Sequence, residues 1–279
     1  MPNYSGCFRN VGIYKMGKTN DIDMSRWRDS GINVESLWII NERDKTGKHT
    51  NVYHGNFIPQ IPRQMLKRYT KEGDVVVDMF MGSGTTLFEA ETLKRNFIGF
   101  DINTEIIEYV QSKMDETSPI QYYIHNCDIT NNQAVSECLR KDLRTLNRQV
   151  VDFIISHPPY MDIVKFTNLV EDLSHIGDLN NFIQKYTQAF GNVFTYLKTG
   201  GYAAIVIGDV YKNGEVIPLG FHVMNSIKCN FPVKMKGIVV KNIEGNRGKL
   251  GVNDIWHYRA LNSDYFIFKH EYIFVFKKA

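Results

Sequence analysis

No apolar run in this chain approaches the ~20 residues a membrane-spanning helix needs. The longest, such as VVVDMF (75–80) and YAAIVIG (202–208), are of strand length. Cysteine is scarce: Cys7, Cys127, Cys138 and Cys229 are widely spaced, with no CxxC pair, which argues against a disulfide framework and a zinc site. MPNYSGCFRN lacks the charged-then-apolar pattern of a secretion signal. These absences predict a soluble, cytoplasmic protein with reduced thiols and no membrane partner. Charge of one sign is also missing. With 33 Lys and Arg against 30 Asp and Glu, a nucleic-acid surface has to come from local clustering. There is no internal repeat and no low-complexity tract. Hydrophobic content of 43% and a length of 279 residues favour one large α/β domain with extensions.

Short β-rich runs alternate with amphipathic stretches of helical length, the pattern of a doubly wound parallel sheet. Strands are expected near 75–80, 97–102, 121–128, 151–157, 201–209, 234–242 and 270–278. Helices fit at 60–70, 84–94, 103–114, 131–146, 178–198 and 217–229. VKMKGIVVKN and HEYIFVFKKA are expected to pair as an antiparallel hairpin at one sheet edge. Seven strands ending in such a hairpin resemble the Rossmann-like fold of class I methyltransferases. Two stretches stand outside the repeat: an N-terminal extension, 1–50, and an insertion, 241–268, within the domain spanning 51–279.

The most informative stretch is GDVVVDMFMGSGTTLFEAETLKRNFIGFDIN, residues 73–103. A β-run ends in Asp78, a tight loop follows, and a helix begins near Gly84. Gly82 and Gly84 remove side chains where a ligand must approach the backbone, and Thr85 or Thr86 supplies helix-start hydroxyls. N–H groups at the helix start suit an anionic group such as a carboxylate. Asp101 ends the next β-run, 23 residues beyond Asp78, placed to accept the ribose hydroxyls of a nucleoside cofactor. A plain strand-to-helix turn is the alternative; a Walker loop is excluded by the missing Gly-Lys-Ser/Thr ending.

FMGSGTT resembles the FxGSGTT motif of the DNA amino-methyltransferases, with Met79 where Pro is frequent. The resemblance implies S-adenosylmethionine as cofactor. Asp78, Phe80, Gly82, Ser83, Gly84, Thr85 and Thr86 would hold its methionine moiety, and Asp101 its ribose. HGNFIPQIPRQMLKRYT (54–70) resembles the motif that precedes this loop, which would put Phe57 and Pro59 beside the methionine end. A capped helix with Arg63, Lys67 and Arg68 on a solvated face is the other reading. Asp128 would bond the cofactor's adenine amino group, or simply cap a helix.

His157-Pro158-Pro159-Tyr160 follows the fourth β-run and resembles the family's Asp/Asn/Ser-Pro-Pro-Tyr/Phe turn. An exocyclic amino nitrogen is a poor nucleophile because its lone pair is delocalised into the ring. Accepting both its hydrogens favours a pyramidal nitrogen that can attack the methyl group. The resemblance implies acceptors at the 157 side chain and the Pro158 carbonyl. The prolines lock the turn, and Tyr160 offers a stacking face for a flipped base. His157 departs from the pattern: only a neutral imidazole accepts, and the target base is blurred.

The motif order resembles the gamma arrangement of these enzymes, without a separate recognition domain. Candidate DNA-reading segments are 1–50 and 241–268, the latter carrying Lys241, Arg247, Lys249, Trp256 and Arg259; a solvated basic loop is the alternative. Double-stranded DNA is the expected partner, with adenine-N6 favoured and cytosine-N4 close behind. Homodimerisation and a restriction-system partner stay open. An RNA guanine amino-methyltransferase and a silent DNA-binding subunit are the competing readings.

Overall fold

The computed structural model describes residues 19–50, 55–243 and 253–279; the expected DNA contacts Arg247 and Lys249 lie outside them, as does the side chain of Trp256. The first strand, β1 (Leu37–Trp38), is followed by α1 (Gln60–Tyr69). Alternation then sets in: β2 (Val75–Asp78), α2 (Thr85–Thr92), β3 (Asn96–Asp101), α3 (Thr104–Gln111), β4 (Tyr122–Asn126), α4 (Asn132–Thr145) and β5 (Val151–Ser156). After α5 (Leu179–Phe194) come β6 (Leu197–Ile207), the short β7 (Val210–Lys212) and β8 (Glu215–Ile217), and α6 (Leu219–Asn230). The last elements are β9 (Val233–Asn242), α7 (Asn253–Asn262) and β10 (His270–Lys278).

The main sheet runs β1-β9-β10-β6-β5-β2-β3-β4. Strands β4, β3, β2, β5 and β6 are parallel neighbours, while β10 lies antiparallel between β6 and β9. All of β2 and β5 is buried, as expected of strands covered on both faces. One face packs on α1, α2 and α3 through residues such as Ile61, Leu66, Leu87 and Val110. The other packs on α4, α5 and α6 through Leu139, Phe182, Phe190 and Ile227. This is the doubly wound plan expected, with the terminal hairpin in place.

The strand count is eight rather than seven. Leu37 and Trp38 pair in parallel with Val240 and Lys241 at the sheet's edge. Trp38 is buried among the α1-side core, its indole N–H donating to the Glu35 carbonyl. Residues 19–50 also dock on α1: Asn20 donates to the Arg68 carbonyl and Gln64 donates to that of Gly31. A second hairpin, β7–β8, turns on Asn213-Gly214, both with positive φ (55° and 81°), the conformation an Asn-Gly hairpin turn requires.

If Trp38 is what fastens this edge to the core, Trp38→Ala should cost about 3–5 kcal/mol of unfolding free energy. Urea melts of both forms measure it. A loss within the scatter of surface substitutions would contradict the packing described.

Candidate active site

The carboxyl ends of β2, β3, β4 and β5 open on one cleft of about 1240 Å³. That exceeds the upper end of ordinary small-ligand pockets, roughly 1,000 Å³, so it has room for more than one small group. Sequence-predicted residues from three separate motifs meet there. Phe57, Phe80, Gly82, Thr85, Asp101 and Asp128 line it, as do all four residues of the His157–Tyr160 turn.

The glycine-rich loop is tied at both ends by carboxylates. The Phe80 N–H and the Thr86 hydroxyl donate to Asp78 at 3.1 and 2.5 Å, and the Gly82 N–H donates to Asp101 at 2.8 Å. Asp101 also accepts from the Asn103 N–H at 2.9 Å. The Gly82 N–H, one of those suited by its place to a ligand anion, is therefore spent on Asp101. Gly84 has φ of 81°, and a Cβ there would press on Val110 at 3.0 Å, so glycine is required on both counts.

Asp78 differs from its expected place. It lies under the loop, 1% exposed, and is not among the residues lining the cleft, so it shapes the loop from below. Ser83, Gly84, Thr86 and Pro59 likewise stand behind the cleft wall. Ser83 accepts from Asn56 at 2.9 Å, and Pro59 caps α1. Asp128 does not cap α4, a role taken by Asn131; it accepts from the Thr130 N–H and hydroxyl in a tight turn facing the cleft. Arg63 is not on a solvated face: it pairs with Asp44 and the buried Glu89, both at 2.7 Å.

The His-Pro-Pro-Tyr turn leaves β5 directly, and the next residue, Met161, is fully buried with φ of 53°. A left-handed non-glycine residue is held there against its own preference by packing. The His157 ring lies 5.1 Å from Phe57 and 5.7 Å from Tyr160, centroid to centroid. Its Nε2 is 3.4 Å from the Tyr160 oxygen, which in turn reaches Glu271 at 3.4 Å. Burial holds the His157 pKa below its ordinary value, against the opposing pull of Glu271. The imidazole is thereby kept neutral.

Glu271 belongs to none of the sequence motifs. It sits on β10, and its partner Lys241, expected among the DNA contacts, is 5% exposed and bonded to it at 3.0 Å. Both line the cleft. Lys241 is thus a buried cation beside the His157 turn and not a surface phosphate contact, because it shares the inward face of β9 with Val239. Of the remaining DNA candidates, Arg259 lies exposed on α7. Two histidines outside the cleft have structural partners: His125 bonds Asp142, and His175 bonds the Thr167 carbonyl. Among the described residues no cluster suits a metal ion, and no helix is long and apolar enough to cross a membrane.

This fold and this cleft define a class I methyltransferase, the class that draws its methyl group from S-adenosylmethionine. The chain belongs to the methyltransferase-domain family, whose model matches residues 70–245. A second family model, described as DNA methylase, matches residues 11–112. Type II methyltransferase M.MjaII of Methanocaldococcus jannaschii is 43% identical over 68 residues, 23% of this chain and 13% of that protein. Type II methyltransferase M1.MboII of Moraxella bovis is 36% identical over 106 residues, 34% of this chain and 37% of that protein. A tRNA (guanine(10)-N2)-dimethyltransferase of M. jannaschii is 30% identical over 107 residues, 38% of this chain and 29% of that protein. The chain therefore spans well under half the length of these relatives. Among solved structures, a candidate rRNA-methylase from Clostridium thermocellum superposes with a TM-score of 0.51 at 15% identity, covering 82% of this chain and all of that one; it shares the fold.

Burial raises Asp78 from 3.8 to about 7, against the lowering effect of its bonds to Thr86 and Phe80. An acid whose folded pKa lies above its unfolded one binds its proton more tightly in the folded chain. Stability from this group therefore falls as pH rises from about 4 to about 7. Asp78→Asn keeps the shape and cannot ionise, so it should lose part of that decline. Denaturant melts at pH 5 and pH 7.5 compare the two; an identical decline in the variant would exclude Asp78 as the source.

Proposed function

We propose that this protein transfers the methyl group of S-adenosylmethionine to the exocyclic amino group of a flipped base in double-stranded DNA, adenine-N6 ahead of cytosine-N4. One observation carries the reading: the tied glycine loop with Asp101 and the His157–Tyr160 turn open on a single cleft. Bound there, S-adenosylmethionine supplies an electrophilic methyl on a sulfonium.

Asp101 uses two of its roughly four lone-pair sites on the Gly82 and Asn103 N–H groups, leaving acceptors for both ribose hydroxyls. Phe57 and Phe80 supply apolar walls for the methionine end, and Asp128 an acceptor for the adenine amino group. Asp78, Ser83, Gly84 and Thr86 support the loop from behind. His157, neutral, accepts one amino hydrogen, and the Pro158 carbonyl accepts the other. Both bonds strengthen as the nitrogen becomes pyramidal, so they favour the reacting geometry over the ground state. Tyr160 lies across the end of β6, where a Cβ on Gly208 would meet its ring at 3.0 Å, and presents an edge of the base pocket.

Duplex contact is assigned to α7, through Arg259, and to Arg247 and Lys249 in the same insertion, with residues 19–50 as a second surface. A tRNA-modifying relative is the reason to keep RNA in the test. Incubation with isotopically labelled S-adenosylmethionine and either duplex DNA or RNA, followed by mass analysis of nucleosides, should yield N6-methyladenine from DNA. N4-methylcytosine would keep the reaction and change the base; label found only in RNA would overturn the DNA assignment.

Protonated His157 becomes a donor, so single-turnover methyl transfer at saturating cofactor should decline as pH falls through its lowered pKa, below 6.5. His157→Asn should lack that acid limb, and His157→Ala should lose on the order of 10²-fold or more in rate with cofactor binding near normal. Profiles that coincide, or a fully active Ala variant, would remove His157 from this role.

Replacing Arg247, Lys249 and Arg259 together with Ala should weaken duplex binding and flatten its log–log salt slope by about 0.9 for each phosphate no longer neutralised. Fluorescence anisotropy over a salt series measures it. An unchanged slope would place the DNA surface elsewhere.

A further inference from the structure

Lys241 and Glu271 face each other in register across the β9–β10 pair and are both nearly excluded from solvent. Burying two opposite charges seldom adds net stability, because desolvation offsets their attraction. This pair also forms one end of a hydrogen-bonded chain, Lys241–Glu271–Tyr160–His157, whose other end is at the candidate acceptor.

The chain has one consistent polarity. Lysine can only donate and an ionised carboxylate can only accept, so the Tyr160 hydroxyl must give its hydrogen to Glu271. The tyrosine oxygen then has only lone pairs left, one of them faced by the Gly208 backbone N–H. His157 Nε2 meets the other, and that contact is a hydrogen bond only if Nε2 carries the hydrogen. In a neutral ring Nδ1 is then a bare lone pair. Among the described residues Nδ1 has no hydrogen-bond partner and is not sealed from solvent, and the ring lines the cleft.

We infer that Lys241 and Glu271 are positioning residues that act through Tyr160 to hold His157 as its Nε2–H tautomer, leaving the Nδ1 lone pair for the substrate. The opposite tautomer would present N–H to the substrate, repelling an amino group and welcoming a carbonyl. The paired charges therefore act as a selector for amino-bearing bases. In its catalytic meaning this rests on the reading of His157 as amino acceptor; the tautomer itself does not.

Histidine-selective nitrogen-15 labelling of the full chain, with His157→Asn to assign the signal, gives the tautomer directly from long-range proton–nitrogen correlations. The wild type should show its pyridine-like nitrogen at Nδ1. In Glu271→Gln the amide can donate to the Tyr160 oxygen, which turns the hydroxyl hydrogen towards Nε2. The majority tautomer should become Nδ1–H, and methyl transfer should fall on the order of tenfold or more with cofactor affinity unchanged. A wild-type Nδ1–H ring, or a tautomer unmoved in Glu271→Gln, overturns the inference. If that variant fails to fold, Tyr160→Phe removes only the linking oxygen and should let the tautomer ratio relax to that of a free imidazole, raising the Nδ1–H share above the wild type's; an unmoved ratio there overturns it equally. A shifted tautomer with undiminished methyl transfer supports the positioning role and instead refutes His157 as the amino acceptor.

Discussion

Asp78, Asp101, Asn126 and Ser156 all end parallel strands at one edge, because the ladder holds Asp78 opposite Gly99 and Ile155, and Asp101 opposite Asn126. The sheet is covered on both faces, so polar groups that must meet a ligand have room only where the strands stop. Everything in the candidate site hangs from that edge. The loop after β2 cannot drift, because its N–H groups are given to the carboxylates at the ends of β2 and β3. The same bonds that fix the loop leave Asp101 with acceptors to spare.

The terminal hairpin adds what the parallel strands cannot. By inserting antiparallel between β6 and β9, β10 carries Glu271 to within reach of Tyr160, 111 residues earlier in the chain. Two prolines and a buried left-handed Met161 make the turn rigid on the other side. His157 is thus held between a fixed backbone and a fixed charge pair. An imidazole has two nitrogens and needs such an arrangement more than the Asp or Asn the family pattern carries at this position.

Much of this was legible in the sequence, for physical reasons. Strands buried on both faces read as continuous apolar runs, and the Asp78-to-Asp101 spacing is one β-turn-α-β passage whatever the side chains between. What escaped was set by long-range pairing. Two residues, Leu37 and Trp38, carry no period; they become a strand because β9 lies beside them, and the Ile40 N–H finds Asn242 across 202 residues. Glu271 looks like an ordinary charge at a strand start until register puts it opposite Lys241. The even alternation of β9 gives no clue either, because a register shift opposite Val275 and Phe276 puts the exposed Lys234 on the same sheet face as the buried Lys241. Asn213-Gly214, between β-branched and aromatic neighbours, is a hairpin signal that the helix-and-strand periodicity alone does not register.

The central claim is that cofactor and target base occupy one cleft, bracketed by Asp101 on one side and His157 on the other. The most direct measurement is calorimetric binding of a bisubstrate analogue, in which the cofactor's sulfonium position is tethered to the amino nitrogen of an adenine nucleoside. The account predicts one site per chain, tighter than S-adenosylmethionine alone, and weakened separately by Asp101→Ala and by His157→Ala. Binding no tighter than the cofactor's own, and indifferent to His157, would contradict it.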